Sequence, residues 1–212
     1  MIRPSELRQL LLVIILFSAA HITSAQVFSR PETFSHEDSL RGSITPERAW
    51  WDLQHYHLQI EVVPSTQSII GSNTITYKVI STHNSMQLDL QSPMKITKVI
   101  QDDKELKVID DGDAHFVQLL KEQKNGEENK LIVYFKGVPV VAQNPPWDGG
   151  FTWEKDGNGL PFIATSNQGI GSSVWWPNKD IPYDEPDKGA LMSIEVPENL
   201  MDVSNGRLIK TD

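Results

Sequence analysis

The 212-residue chain contains no cysteine. Disulfides, thiol catalysis and cysteine-based zinc sites are excluded, so the fold must be held by core packing alone. Positive charge is also scarce: 19 Lys and Arg face 28 Asp and Glu, a net charge of −9. Such a chain has no basic footprint for nucleic acid or for an anionic membrane. Long apolar runs are missing except near the start. There, Arg3 and Arg8 precede the apolar segment Leu10 to Ala20, and Thr23-Ser24-Ala25 offers small side chains for cleavage. This is the layout of an export signal over residues 1–25. The run is shorter than the roughly 20 apolar residues that a membrane-spanning helix needs. The expected product is exported, to the periplasm or beyond, with no membrane association after the signal is removed.

What remains is long enough for one domain with a real core. Residues 26–48 are polar and mixed, and read as a leader without a core of its own. From Trp50 the pattern has period two. Tyr56, Leu58, Ile60 and Val62 point one way, while His55, His57, Gln59 and Glu61 point the other. Pro64-Ser65-Thr66 turns the chain, after which Ile75, Tyr77 and Val79 alternate with Thr74, Thr76 and Lys78. Met86, Leu88 and Leu90 alternate with Gln87, Asp89 and Gln91. Further strands are expected at 96–100, 104–109, 114–120 and around Leu131, Val133 and Phe135. No stretch has convincing helical period. The expectation is an all-β fold, an antiparallel sandwich or a saddle-like twisted sheet.

Residues 138–187 differ, being dense in Pro, Gly, Trp and Asp. A connection this long inside a domain is functional or disordered. Trp147, Trp153, Trp175 and Trp176 argue against disorder, since disordered segments are poor in aromatics. An ordered loop layer packed on the sheet is expected. Alternation returns at Met192, Ile194 and Val196, and stops at Pro197.

Several short strings in this half carry a resemblance when taken in order. They are Ser166-Asn167-Gln168-Gly169, Trp175-Trp176-Pro177-Asn178-Lys179-Asp180, Asp184-Glu185-Pro186-Asp187, Ile194-Glu195-Val196-Pro197 and Val203-Ser204-Asn205-Gly206. Together with Asp52 to Ile60 as a first strand, they resemble the N-terminal domain of M1-family zinc aminopeptidases, the group that includes aminopeptidase N and leukotriene A4 hydrolase. The likeness runs from about Trp50 to the end.

The resemblance implies a peptide-cleaving hydrolase whose zinc lies in a following catalytic domain. That domain carries Gly-x-Met-Glu-Asn and His-Glu-x-x-His, and neither motif is present in this chain. The nearest string is His36-Glu37-Asp38-Ser39-Leu40. A zinc site of this kind needs two His four apart on one helix face, and Leu40 stands where the second should be. The string was also expected to lie outside any helix. No metal ligand is therefore assigned in this chain, and zinc is expected only in the full-length enzyme, in a catalytic domain that is missing here or encoded downstream.

The resemblance also implies a substrate role for Gln168, flanked by Asn167 and Gly169. In the family this position reaches toward the peptide's free α-amine and edges the first side-chain pocket. A Gln amide oxygen accepts a hydrogen bond from an ammonium without adding charge. Read without the family, Gln168 beside Gly169 is a turn residue.

Other constellations have plainer readings. His55 and His57 share the polar face of one strand with no third ligand in view, and read as solvated. Asp148, Asp156 and Asn158 lack the further oxygens of a calcium loop, and hairpin turn chemistry explains Asp156-Gly157-Asn158-Gly159. Trp175 and Trp176 read as plugs for the loop layer rather than as a sugar platform. Asp180, Asp184, Glu185 and Asp187 read as turn caps or ion-pair partners. Asn178 departs from the family, where a Cys often follows the Pro, and this bears on how tightly the loop packs.

The expectation is thus an inactive β-domain, residues 49–212, of an exported M1 enzyme, with peptides as substrates and a catalytic domain as partner. The ending 207–212 breaks off where a new strand would begin, which reads as truncation. The alternative is a free-standing secreted module that binds peptide or glycan through the aromatic layer.

Overall fold

The computed structural model describes residues 33–212, so the export signal expected over residues 1–25 lies outside the described residues. Residues Ser35–Asp212 form one compact unit. Eleven strands among the described residues make three sheets. The largest has the order β11-β1-β2-β8-β4-β5, built from β1 (Trp51–Val63), β2 (Ser68–Val79), β4 (Lys95–Gln101), β5 (Lys104–Glu105), β8 (Glu128–Gly137) and β11 (Ala190–Glu195). A three-stranded sheet has the order β3-β7-β6, from β3 (His83–Asp89), β6 (Lys107–Asp111) and β7 (Ala114–Gln123). The third is a hairpin of β9 (Gly150–Lys155) and β10 (Pro161–Ser166).

One face of the large sheet carries the core, because period-two alternation puts every second side chain there. Leu53, Ile75, Tyr77, Val79, Leu131 and Val133 meet Met86, Leu88 and Val117 of the three-stranded sheet. Farther along that face, Leu58, Ile60, Ile69 and Phe135 pack on Phe151, Val174 and Trp175. The all-β sandwich expected from the sequence is what forms, with sheet on sheet at one end and hairpin plus loop on sheet at the other.

Five local expectations change. The segment 138–187 contains the β9–β10 hairpin, whose Asp156 turn accepts from Asn158 N at 2.8 Å and Leu160 N at 2.9 Å. Strand β11 pairs with β1 in parallel, in register Tyr56↔Ala190 to Glu61↔Glu195, where an antiparallel partner was expected. A bulge at Gln54 shifts the β1–β2 register between Leu53 and His55, so Leu53 and Tyr56 are both inward. On β3, Gln87 and Asp89 are as buried as their apolar neighbours, because polar partners cover that face.

The leader is the fifth. Its second half folds as helix α1 (His36–Gly42) and helix α2 (Pro46–Ala49). Ser35 and Asp38 form a capping box at the start of α1, and Pro46 opens α2. Seven residues are too few to show a helical period, so the helix was not foreseen. The His36-Glu37-Asp38-Ser39-Leu40 string is therefore helical after all, but Leu40 still leaves it one imidazole short. Among the described residues, no helix is long and apolar enough to cross a membrane.

The cap gives a pH test. The backbone N–H and then the hydroxyl of Ser35 hold the Asp38 carboxyl below its usual range. Its folded value lies under the unfolded one, so the cap is complete above about pH 4 and disappears as pH falls through the lower value. Hydrogen-exchange protection at Ser39 and Ser43 should drop on acidification before protection at Val133 in β8. Simultaneous loss at all three sites would contradict this.

Candidate functional site

Strand β10 delivers the chain into a turn, Asn167 to Gly171, that carries Gln168. Gly169 and Gly171 have φ of 76° and 75°, which glycine adopts without penalty. The Asn167 carbonyl accepts from Gly171 N at 3.1 Å. The Asn167 side-chain oxygen accepts from Trp175 Nε1 at 3.2 Å. The Ile170 carbonyl accepts from Gln91 Nε2 at 2.5 Å and also from the Arg41 guanidinium of α1. Gly171 lies against the Asp180 carboxylate so closely that a Cβ there would overlap it. The turn is fixed from three sides while Asn167, Gln168 and Gly169 themselves stay exposed. A held backbone with an exposed amide is suited to receiving a polar group from outside.

A second loop runs beside it. Ser166 Oγ donates to the Pro146 carbonyl at 3.0 Å. Gly149 abuts Ile170, and a Cβ on Gly149 would overlap that side chain. Trp147 sits between these two contacts and is 72% exposed. Trp175 is 6% exposed and stacks edge-on against Phe151, and Trp176 meets Tyr56 edge-on at 5.0 Å. Trp175 and Trp176 are packing residues, as expected, whereas Trp147 is not.

Beneath the turn lies a buried polar layer that the sequence reading did not foresee. Arg48 is fully buried and pairs with Asp89 at 2.5 Å. Asp89 also accepts from Gln87 Nε2 at 3.1 Å and from Asp180 N at 3.0 Å. Burial pushes the Asp89 carboxyl up, and the Arg48 guanidinium draws it back. Asp180 in turn accepts from Ser173 Oγ at 2.5 Å. The Lys179 amine pairs with Asp184, donates to the Trp51 carbonyl at 2.7 Å and lies 4.1 Å from the Trp51 ring centre. Burial lowers its pKa and Asp184 opposes this. Asp187 accepts from Gln54 Nε2 at 3.0 Å. Asp180, Asp184 and Asp187 are thus occupied as caps and pair partners, which leaves no free carboxylate pair for acid–base chemistry among them. Asn178 is buried, and its backbone exchanges hydrogen bonds of 3.1 and 2.8 Å with Asp89, so the loop packs tightly without a thiol.

The donor set does not fit zinc. Among the described residues, no three His, Asp or Glu side chains converge as a metal group. His36 binds Asp111, His57 binds Ser193, and His115 lies between Asp110 and the Leu90 carbonyl. Asp148 caps Gln143 N and Asn144 N, which is turn chemistry rather than a calcium loop.

No family model and no curated protein matches the chain. Solved structures do. An M1 zinc metallopeptidase from Deinococcus radiodurans aligns with a TM-score of 0.55 and 20% identity, over 74% of this chain and 35% of that one. A variant of that enzyme bound to a Tyr-Ser-Ala substrate aligns at 0.54 and 22%, with the same coverage. Native leukotriene A4 hydrolase from Saccharomyces cerevisiae aligns at 0.57 and 15%, over 80% of this chain and 26% of that one. The shared fold is that of M1 zinc metallopeptidases. It agrees with the resemblance read from the sequence. The chain spans about a third of the Deinococcus enzyme and about a quarter of the yeast one, so the M1 likeness concerns part of those molecules only.

Of the residues singled out from the sequence, Asn167, Gln168 and Gly169 fall together on the held turn. Sequence reasoning missed Arg41 and Gln91, which hold it together with Asp180, a residue read from the sequence as a turn cap or ion-pair partner. A lone Arg in a polar leader gives no signal of that kind.

Proposed function

We propose that this chain is the substrate-facing β-domain of an exported M1 zinc aminopeptidase. Gln168 receives the free α-amine of a peptide, and Asn167 and Gly169 shape the rim. Neither Gly-x-Met-Glu-Asn nor His-Glu-x-x-His occurs in these 212 residues, so zinc and the water it activates are held by residues outside them, and these residues alone do not cleave peptides. The observation that carries this reading is an exposed Gln168 on a turn fixed by Arg41, Gln91 and Trp175, within an M1 fold. The Tyr-Ser-Ala substrate of the Deinococcus variant supports peptides as the ligand class.

The test uses the purified full chain. Elemental analysis should find no stoichiometric zinc, and an aminoacyl reporter should stay intact. L-leucinamide should shift the Gln168 side-chain amide signals, and N-acetyl-L-leucinamide should not. Zinc-dependent turnover would refute the missing-domain reading, and equal response to both amides would refute the role of Gln168.

A further inference from the structure

We propose that Trp147 is the specificity wall of the Gln168 site, stacking against an apolar or aromatic side chain on the peptide's first residue. This rests on the reading of Gln168 given above and adds to it the class of side chain selected. Among the described tryptophans Trp147 is the outlier: Trp50 and Trp51 are 1% exposed and Trp175 is 6%, against 72% here. An exposed indole face can stack on a flat or apolar partner.

Its loop is built rather than loose. Asp148 accepts from Gln143 N at 2.6 Å and from Asn144 N at 2.7 Å, and Trp147 N donates to the Asn144 carbonyl at 2.9 Å. The loop is then fastened to the Gln168 turn at two points, Pro146 to Ser166 and Gly149 to Ile170. Trp147 lies between the first pair of these contacts and the second, and so does Gln168 on the other tip. Two exposed residues of complementary chemistry, an uncharged acceptor and an indole, thus sit on neighbouring loop tips that are tied together on both sides. Little ordering remains to be done when a ligand arrives.

The only acid of this loop, Asp148, has both oxygens engaged by backbone N–H groups. An ammonium can be received by the Gln168 amide, and the side chain beside it then meets the indole face.

The test follows the indole N–H and Gln168 amide signals of the full chain by NMR. Four probes are added: L-phenylalaninamide, L-alaninamide, N-acetyl-L-phenylalaninamide and maltotriose. L-phenylalaninamide should move the Trp147 indole signal, and L-alaninamide should move only Gln168. Trp147→Ala should weaken L-phenylalaninamide binding by about three- to tenfold and leave L-alaninamide unchanged. Trp147→Phe should restore most of the loss. Amides that move Gln168 but never Trp147 overturn the proposal and spare the amine reading. N-acetyl-L-phenylalaninamide acting as well as the free amine at Trp147 spares the aromatic contact and sinks the amine reading. A Trp147 response to maltotriose but not to L-phenylalaninamide overturns the proposal in favour of a glycan surface. No response to any amide up to about 50 mM, where binding energy is slight, overturns both.

Discussion

Asp89→Ala is expected to lower folding stability by about 3–5 kcal/mol, because it strands a buried guanidinium. Arg48 is fully buried, and its other bonds run to the carbonyls of Leu40 at 2.6 Å, Arg41 at 3.0 Å and Ser43 at 3.0 Å. Those carbonyls do not neutralise its charge. Among the described residues Asp89 supplies the only carboxylate paired with it, and it also receives Gln87 and Asp180 N. Urea unfolding followed by circular dichroism measures the change. The double variant Arg48→Met with Asp89→Leu should recover part of it, since removing both charges removes the desolvation cost as well. A loss below about 1 kcal/mol for Asp89→Ala would mean that the pair is solvated rather than buried. The damage should spread to the candidate site. Asp89 holds Asp180, Asp180 abuts Gly171, and Gly171 ends the turn that carries Gln168.

Trp51→Ala should be comparably severe, at about 3–5 kcal/mol for truncating a buried indole. Trp51 is 1% exposed, meets Tyr77 edge-on at 5.9 Å and donates to the Glu47 carbonyl at 3.1 Å. Its ring also faces the Lys179 amine. Truncation therefore opens a cavity and thins the surroundings of a buried cation in one step. Trp51→Phe keeps a ring under Lys179 and should restore roughly half of the loss. Trp147→Ala provides the contrast, because its stability should stay within about 0.5 kcal/mol of the parent. Equal losses for Trp51→Ala and Trp147→Ala would contradict the burial described for both.

The alternation of Ile75, Tyr77 and Val79, or of Leu131, Val133 and Phe135, made the sandwich legible, because a half-buried strand writes its inner face at every second residue. The hairpin inside 138–187 was not legible. Phe151, Trp153 and Ile163 alternate only briefly between Gly and Pro residues that read as turns. The bulge at Gln54 left no mark either, since one extra residue moves the register without changing composition. The site was legible in part. Gln168 stood out through resemblance to a family, not through any property of a Gln beside a Gly. Arg41, Gln91 and Arg48 act through distant backbone carbonyls and a buried partner, and no local pattern announces a contact that spans 41 to 129 residues.

The parallel pairing of β1 with β11 has a consequence for synthesis. Trp51–Val63 leaves the ribosome first, yet the neighbour that completes its outer edge is Ala190–Glu195. At roughly 5–20 residues per second, that flank waits on the order of ten seconds. During this interval the nascent polypeptide presents an unsatisfied row of amide and carbonyl groups to anything able to add a strand. Slowed translation upstream of codon 190 should therefore raise the yield of misassembled product more than an equal delay after codon 195.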